Sequence, residues 1–260
     1  MRKLTVSVLK ALLQTKLLTR FTDFVTRSRV QTTHTLIHNH LTFEFTHPTP
    51  QIRSRNKTFA SKEPETLTWI ETFKEGETLW DIGANVGLYS IYAAKRGCRV
   101  IAFEPSVFNL EFLVRNINLN HVAERVGVAA LALGGNAPGF AMLRMSSTAW
   151  GDSQNSLDSA TPQGATADAP AIHYQVVGLP LDSVRETLRL SYPHHIKIDV
   201  DGIEPEILES GPLTLQHVTS VLVEIPQHVG AREKISTALT RAGLELVLTQ
   251  RQNQIWRRQK

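Results

Sequence analysis

From Leu79 onward, short apolar runs alternate with stretches whose apolar residues recur at helical spacing. Strands are predicted at 79–82, 99–103, 125–131, 195–200, 219–225 and 244–249. Helices are predicted at 87–96, 107–119, 181–189, 203–210 and 231–242. This alternation predicts an α/β fold, a mostly parallel sheet with helices on both faces. The strand at 244–249 is compatible with an antiparallel closing hairpin, which periodicity does not fix. Upstream the rhythm is weaker. Thr42–Thr46 alternates as a short strand, Pro48 and Pro50 interrupt it, and Glu63-Pro64-Glu65 opens a helix with Leu67, Ile70 and Phe73 on its apolar face and Gly76 at its end.

Two regions fall outside the α/β pattern. Leu9, Leu13, Leu17, Phe21 and Phe24 repeat at helical spacing among basic residues, which predicts a basic amphipathic helix. Packing on the domain or on a partner is the main expectation for it, and weak contact with a membrane surface the lesser one. Lys10 and Lys16 interrupt its apolar face and no small-x-small site follows, unlike a signal peptide. The segment 134–171 carries Gly134-Gly135, Pro138-Gly139 and the polar run 161–170, and reads as a long polar insertion, in part mobile. The expected division is an N-terminal accessory extension at 1–56, outside any cofactor site, and one domain at 57–260 with the insertion near 134–171.

Composition narrows the class only slightly. A hydrophobic content of 42% over 260 residues is ample for a core. No apolar run approaches the ~20 residues of a membrane span. The single cysteine, Cys98, excludes an internal disulfide and favours a reducing, cytoplasmic setting; it reads as a small apolar residue at the start of a strand. The net charge of +4 is concentrated at the ends. A basic patch can hold nucleic acid or an anionic membrane, but solvated surface is its commoner meaning.

The chemistry is concentrated at strand ends. Leu79–Ile82 runs into D-x-G-x-N-x-G, comprising Asp81, Gly83, Asn85 and Gly87, and a helix follows. Asp81 sits where open α/β sheets bind ligands, and the two glycines allow close approach to the backbone. Glu104 ends the next strand, placed for the two hydroxyls of a ribose. The turn is neither G-x-G-x-x-G nor a phosphate-binding loop. A carboxylate at its mouth would repel a pyrophosphate but suits a cationic amino group without phosphate, and S-adenosylmethionine fits. A plain β-turn-α with a capping Asp is the bland alternative.

A second acidic cluster spans Ile196–Glu204. Ile196, Ile198 and Val200 alternate, so Lys197 and Asp199 share the other face. Glu204 suits the first turn of the following helix. Glu224 ends the next strand, so Asp199 and Glu224 are expected to face one cleft. Two such carboxylates could accept a proton from a hydroxyl or hold a divalent cation, and the choice stays open. His228, close behind Glu224, is a further candidate general base. No H-E-x-x-H, G-x-S-x-G or Cys–His pattern is present.

In order, Lys62–Thr66, Trp80–Ser90, Ala102–Ser106, Arg115–Asn120, Leu181–Ser183 and Lys197–Glu204 resemble the FkbM family of S-adenosylmethionine-dependent methyltransferases, over about residues 57–228. The resemblance implies the seven-stranded class I methyltransferase fold. It also implies methyl transfer, commonly to an oxygen of a sugar or other small hydroxylated acceptor. Carried over, the cofactor turn is Asp81, Gly83, Ala84, Asn85 and Gly87; the ribose acid is Glu104, with Pro105 beside it; and Asp199 is the acid of the fourth motif. Asp201 departs from the Glu usual before the glycine, which shortens its reach. Two other readings compete. A nucleic-acid methyltransferase is suggested by the basic ends, but no Asn/Asp-Pro-Pro-aromatic tetrapeptide accompanies them. An inactive binding module is opposed by the retained acids.

Overall fold

The computed structural model describes residues 16–153, 155–157 and 172–259. Leu9, Leu13 and the run 161–170 lie outside the described residues. In chain order the strands are β1 (Thr33–His38), β2 (Leu41–Thr46), β3 (Thr78–Ile82), β4 (Arg99–Phe103), β5 (Val126–Ala129), β6 (Ala132–Leu133), β7 (Gly139–Met145), β8 (Asn155–Leu157), β9 (Ile172–Leu179), β10 (His195–Ile198), β11 (Ser220–Glu224), β12 (Leu244–Gln250) and β13 (Asn253–Arg258). The main sheet has seven strands in the order β12-β13-β11-β10-β3-β4-β5. Its pairs are parallel except those of β13, which runs antiparallel to both β11 and β12. This is the class I methyltransferase arrangement that the resemblance implied.

Strand alternation divides the core into two layers. Trp80, Ile82, Ile196, Ile198, Val221 and Val223 point to one face, where they pack with Leu181, Ile207 and Ile235 of the helices Leu181–Thr187, Glu204–Glu209 and Ala231–Arg241. Leu79, Val100, Ala102 and Leu222 point to the other, against Leu67 and Ile70 of the helix Pro64–Glu71 and Ile91 and Tyr92 of the helix Leu88–Lys95. Cys98 lies in this second layer, free and buried, and burial raises its thiol to about 11.

Several elements differ from the sequence expectation. Pro50 does not end structure; it opens the helix Pro50–Lys62, with the Thr49 hydroxyl accepting from the Ile52 amide at 3.3 Å. The expected boundary between residues 56 and 57 falls inside this helix. The β1–β2 hairpin is continuous with the core, because Phe43 and Phe45 are fully buried beside Phe59 and Tyr92. Asn116 Oδ1 accepts from both the amide and the hydroxyl of Thr46, each at 2.9 Å, which locks the hairpin to the helix Val107–Leu119.

The described part of the 134–171 insertion is largely folded. It contributes β7 and β8 to a second sheet, ordered β6-β9-β7-β8, in which Ala141, Leu143 and Met145 are buried. The strand expected at 125–131 is therefore divided: β5 stays in the main sheet and β6 leaves for the second one. The basic C-terminal run is likewise not simply a solvated tail. It contains β13, whose Ile255 and Trp256 are buried. At the N-terminal side, the helix Lys16–Gln31 leaves Phe21 61% and Phe24 67% exposed, so these two rings do not pack on the domain. Among the described residues, no helix is long and apolar enough to cross a membrane.

Candidate active site

A cleft of about 320 Å³ opens at the carboxyl ends of β3, β4, β10 and β11, where the strand order reverses. Ile82, Phe103, Leu131, Leu133 and Leu143 supply its apolar wall. Glu104, Asp199, Asp201 and Glu224 supply acids, and Arg55 and Lys62 supply cations.

The turn after β3 is built against its neighbours. The amides of Gly83 and Ala84 both donate to the Phe103 carbonyl at 3.0 Å. Gly83 has φ +82, and a Cβ there would stand 1.9 Å from the Asp199 carbonyl oxygen. Gly87 has φ +87, and its Cβ would stand 2.5 Å from Leu113 Cδ1. Both glycines are therefore required by contacts within the chain. Gly83 also lines the cleft, whereas Ala84 and Gly87 do not. Asn85, itself at φ +51, lines it and turns its amide to Glu104.

Glu104 is 4% exposed. Its Oε2 accepts from the Asn85 amide and its Oε1 from the Ser106 amide, each at 2.8 Å. Burial raises its carboxyl to about 7, against the opposing pull of these amides and of Asn109. Pro105 follows it on the cleft wall. Asn109 and Asn85 both donate to the Asp152 carbonyl, at 3.1 and 2.9 Å, and Arg55 Nε donates to the Gly151 carbonyl at 2.9 Å. The stretch 150–153, expected as part of a polar loop, is thus tied down beside Glu104.

Asp81 does not line the cleft. It is 1% exposed, lies under the turn, and accepts from the Ser90 hydroxyl at 2.5 Å. Burial raises its carboxyl, and the nearby Lys197 ammonium opposes that rise. Asp199 and Glu224 do come together in the cleft, as the strand pattern predicted. Lys197 Nζ donates to Asp199 Oδ2 at 2.9 Å. That ammonium holds the Asp199 carboxyl far below the usual carboxylate range, although burial acts the other way. Glu224 is pushed well upward, first by burial and then by the charge of Asp199, which favours the pair's proton on Glu224.

His228 is exposed and does not line the cleft; its Nε2 donates to the Gly202 carbonyl at 3.0 Å, from a neighbouring depression. The placement expected of a general base is not met, because the ring is held at the Gly202 carbonyl outside the cleft. The cations Arg55 and Lys62, the amide of Asn109, and Ser153 and Gln252 were not singled out from sequence. Arg55 lies in the stretch expected to be outside the site, and only the capping Thr49 before Pro50 signalled the helix that carries it.

The methyltransferase FkbM domain description matches residues 81–242. The chain belongs to the FkbM methyltransferase family. The matched FkbM region holds the turn, Glu104, Asp199 and Glu224, while Arg55 and Lys62 precede it. Among curated relatives, the chain is similar to hexuronic acid methyltransferase AglP of Haloferax volcanii, 26% identical over 71% of this chain and 74% of that protein. It is also similar to methyltransferase sdnD of Sordaria araneosa, 30% identical over 64% of this chain and 73% of that protein. A solved structure, precorrin-6y C5,15-methyltransferase from Geobacter metallireducens, overlies 75% of this chain and 84% of its own at 14% identity, with a TM-score of 0.43.

Proposed function

We propose that this methyltransferase carries a methyl group from S-adenosylmethionine to a hydroxyl oxygen of a sugar or other small hydroxylated acceptor. The observation that carries the reading is the pairing of Asp199 and Glu224 in the same cleft as Glu104. Relatives support it: one of the two named above is described as acting on a hexuronic acid.

The cleft fits the cofactor. Glu104 is fixed by two backbone amides and retains a free lone pair on Oε2 for a ribose hydroxyl. Leu131, Phe103 and Pro105 offer an apolar bed for an adenine. Gly83 brings bare backbone to the wall between Glu104 and Asp199. When bound, S-adenosylmethionine supplies a methyl group activated by a sulfonium, so the protein's task is alignment.

Asp199 is the group that receives and orients the acceptor hydroxyl. With the cofactor bound, Asp199 would orient the acceptor hydroxyl and take up its proton as the oxygen accepts the methyl group. A depressed carboxyl is a weak base, but the proton becomes strongly acidic as the oxygen takes on positive charge, so a weak base is enough. Glu224 keeps its own proton and holds Asp199 in place.

A divalent cation fits this donor set poorly. One Asp199 oxygen already accepts from the Lys197 ammonium, which also sets a positive charge beside the place a cation would take.

The test is methyl transfer from labelled cofactor into separate pools of neutral sugars, sugar acids, small hydroxylated molecules and RNA. Label recovered as a methyl ether of a small molecule supports the reading, and a methyl ester, whose carboxylate acceptor brings no hydroxyl proton, would overturn it. Label confined to RNA, or on nitrogen or carbon, would replace it with the nucleic-acid alternative or another chemistry.

A further inference from the structure

Lys197 is 1% exposed on an inner strand, where an aliphatic side chain would ordinarily stand. Burying an ammonium costs several kcal/mol unless its partners are well placed. Here they are. Lys197 pairs in register with Asp81 on β3, and its Nζ reaches Asp199 Oδ2 at 2.9 Å. The same Nζ lies 5.2 Å from the ring centroid of Tyr89 on the helix Leu88–Lys95. Glu63, just before the helix Pro64–Glu71, adds a third negative charge acting on Lys197. Lys62 and Glu224 face Asp199 from the cleft, and Glu204 from the start of the helix beyond β10. Among the described groups, Lys197 is the cation that β10 itself sets against this acidic layer.

The two carboxyls of the cleft are thereby made unlike. Asp199 accepts a hydrogen bond from the ammonium, whereas Glu224, at the end of β11, is acted on more strongly by the charge of Asp199 than by that of Lys197. Without that ammonium, two adjacent carboxyls sharing one proton would have no fixed owner for it. The acceptor hydroxyl would then meet an acid in some molecules and a carboxylate in others.

We propose that Lys197 is a positioning residue for methyl transfer: its ammonium fixes Asp199 as the ionised oxygen that meets the acceptor and leaves the pair's proton on Glu224. This rests on the role given to Asp199 and Glu224 above. The consequence is a turnover rate with no acidic limb from this pair across the physiological range, reached without a metal ion.

The test combines a binding-independent and a kinetic readout on the full chain. Carbon-13 labelling of aspartate and glutamate side chains, assigned with Asp199→Asn and Glu224→Gln, lets both carboxyls be titrated by NMR without any acceptor. In the native protein Asp199 should stay ionised throughout, while Glu224 gives up its proton only well above the ordinary range of a glutamate. In Lys197→Met the separation should collapse, with Asp199 titrating at higher pH. Lys197→Arg should restore most of the separation.

With the acceptor found by the labelled-cofactor screen, Lys197→Met should lower kcat by about 10²-fold or more and introduce an acidic limb. Its affinity for S-adenosylhomocysteine should stay within about threefold. Identical carboxyl titrations in the native and Lys197→Met proteins would overturn the proposal whatever the acceptor. Should Lys197→Met not fold, the native titration decides: two ordinary carboxyls would sink the idea. If the separation holds and collapses as stated but Asp199→Asn keeps full turnover, the fault lies in the catalytic assignment beneath it.

Discussion

Two backbone amides occupy one lone pair on each oxygen of Glu104, Asn109 Nδ2 donates to Oε1 as well at 3.4 Å, and the free lone pair of Oε2 is what a ribose hydroxyl would use. Losing a charged acceptor is worth about 1.5–3 kcal/mol, so Glu104→Ala should weaken S-adenosylhomocysteine binding by roughly ten- to a hundredfold in calorimetry. Because burial raises the carboxyl to about 7, the empty protein carries a fraction of protonated Glu104 at neutral pH. A diol donates best to the ionised form, so affinity should rise between pH 6 and pH 8, and Glu104→Gln should abolish that dependence. The sign for stability is opposite: a raised carboxyl favours the folded state at low pH, and that contribution fades as pH climbs through 7.

Gly83 carries a different expectation from the one its motif suggests. A Cβ there meets the Asp199 backbone, so Gly83→Ala should cost at least about 1–3 kcal/mol of stability even without ligand. A melting temperature equal to the native one would show that the turn is not packed against β10. Strand ends and period-two alternation made Glu104, Asp199 and Glu224 legible in sequence. The depth of Asp81 was not, because whether a side chain lies in a turn's mouth or beneath it depends on Ser90 and Lys197, which arrive from other elements.

The central βα alternation was readable because β3, β10 and β11 are short, almost wholly buried runs bounded by turn residues. The second sheet was not. The arms of its β7–β9 ladder lie far apart in sequence, and Phe140 and Val177 are exposed, which blurs their alternation. β13 was hidden by its arginines: Arg258 sends its guanidinium to the carbonyls of Leu215 and Val218 rather than to water. The hairpin β1–β2 also gave little signal, yet it fills the core. Phe43→Ala should cost about 3–5 kcal/mol, visible as a large fall in melting temperature. Removing residues 1–25 takes away none of those buried rings, and S-adenosylhomocysteine should bind within about threefold, below ~0.7 kcal/mol. A greater loss in a folded truncation would tie that segment to the cleft.

Taken as a whole, the cleft has acids on its strand-end wall and cations on the Pro50–Lys62 side. Since Asp199 and Glu224 make a poor cage for a divalent ion, methyl transfer should be unchanged, within about twofold, by a chelator or by added Mg²⁺. A rate that vanishes with chelator and returns with metal would assign the pair to a metal instead.

The cleft is also closed by contacts between segments far apart in sequence. Arg251, in the β12–β13 turn, donates to the Lys62 carbonyl across 189 positions, and Asn253 donates to Glu65 across 188. Gln252, between them, lines the cleft. A chain emerging from the ribosome can therefore form β3, β4 and the helix between them long before it can finish the cleft. Until β13 and the turn before it are free, the acids of β10 and β11 lack their final neighbours, and the exposed edge of β11 awaits β13. Contacts so distant in sequence are slow to form. Ligand binding by ribosome-held chains of increasing length should accordingly appear in a single late step, when β13 clears the tunnel.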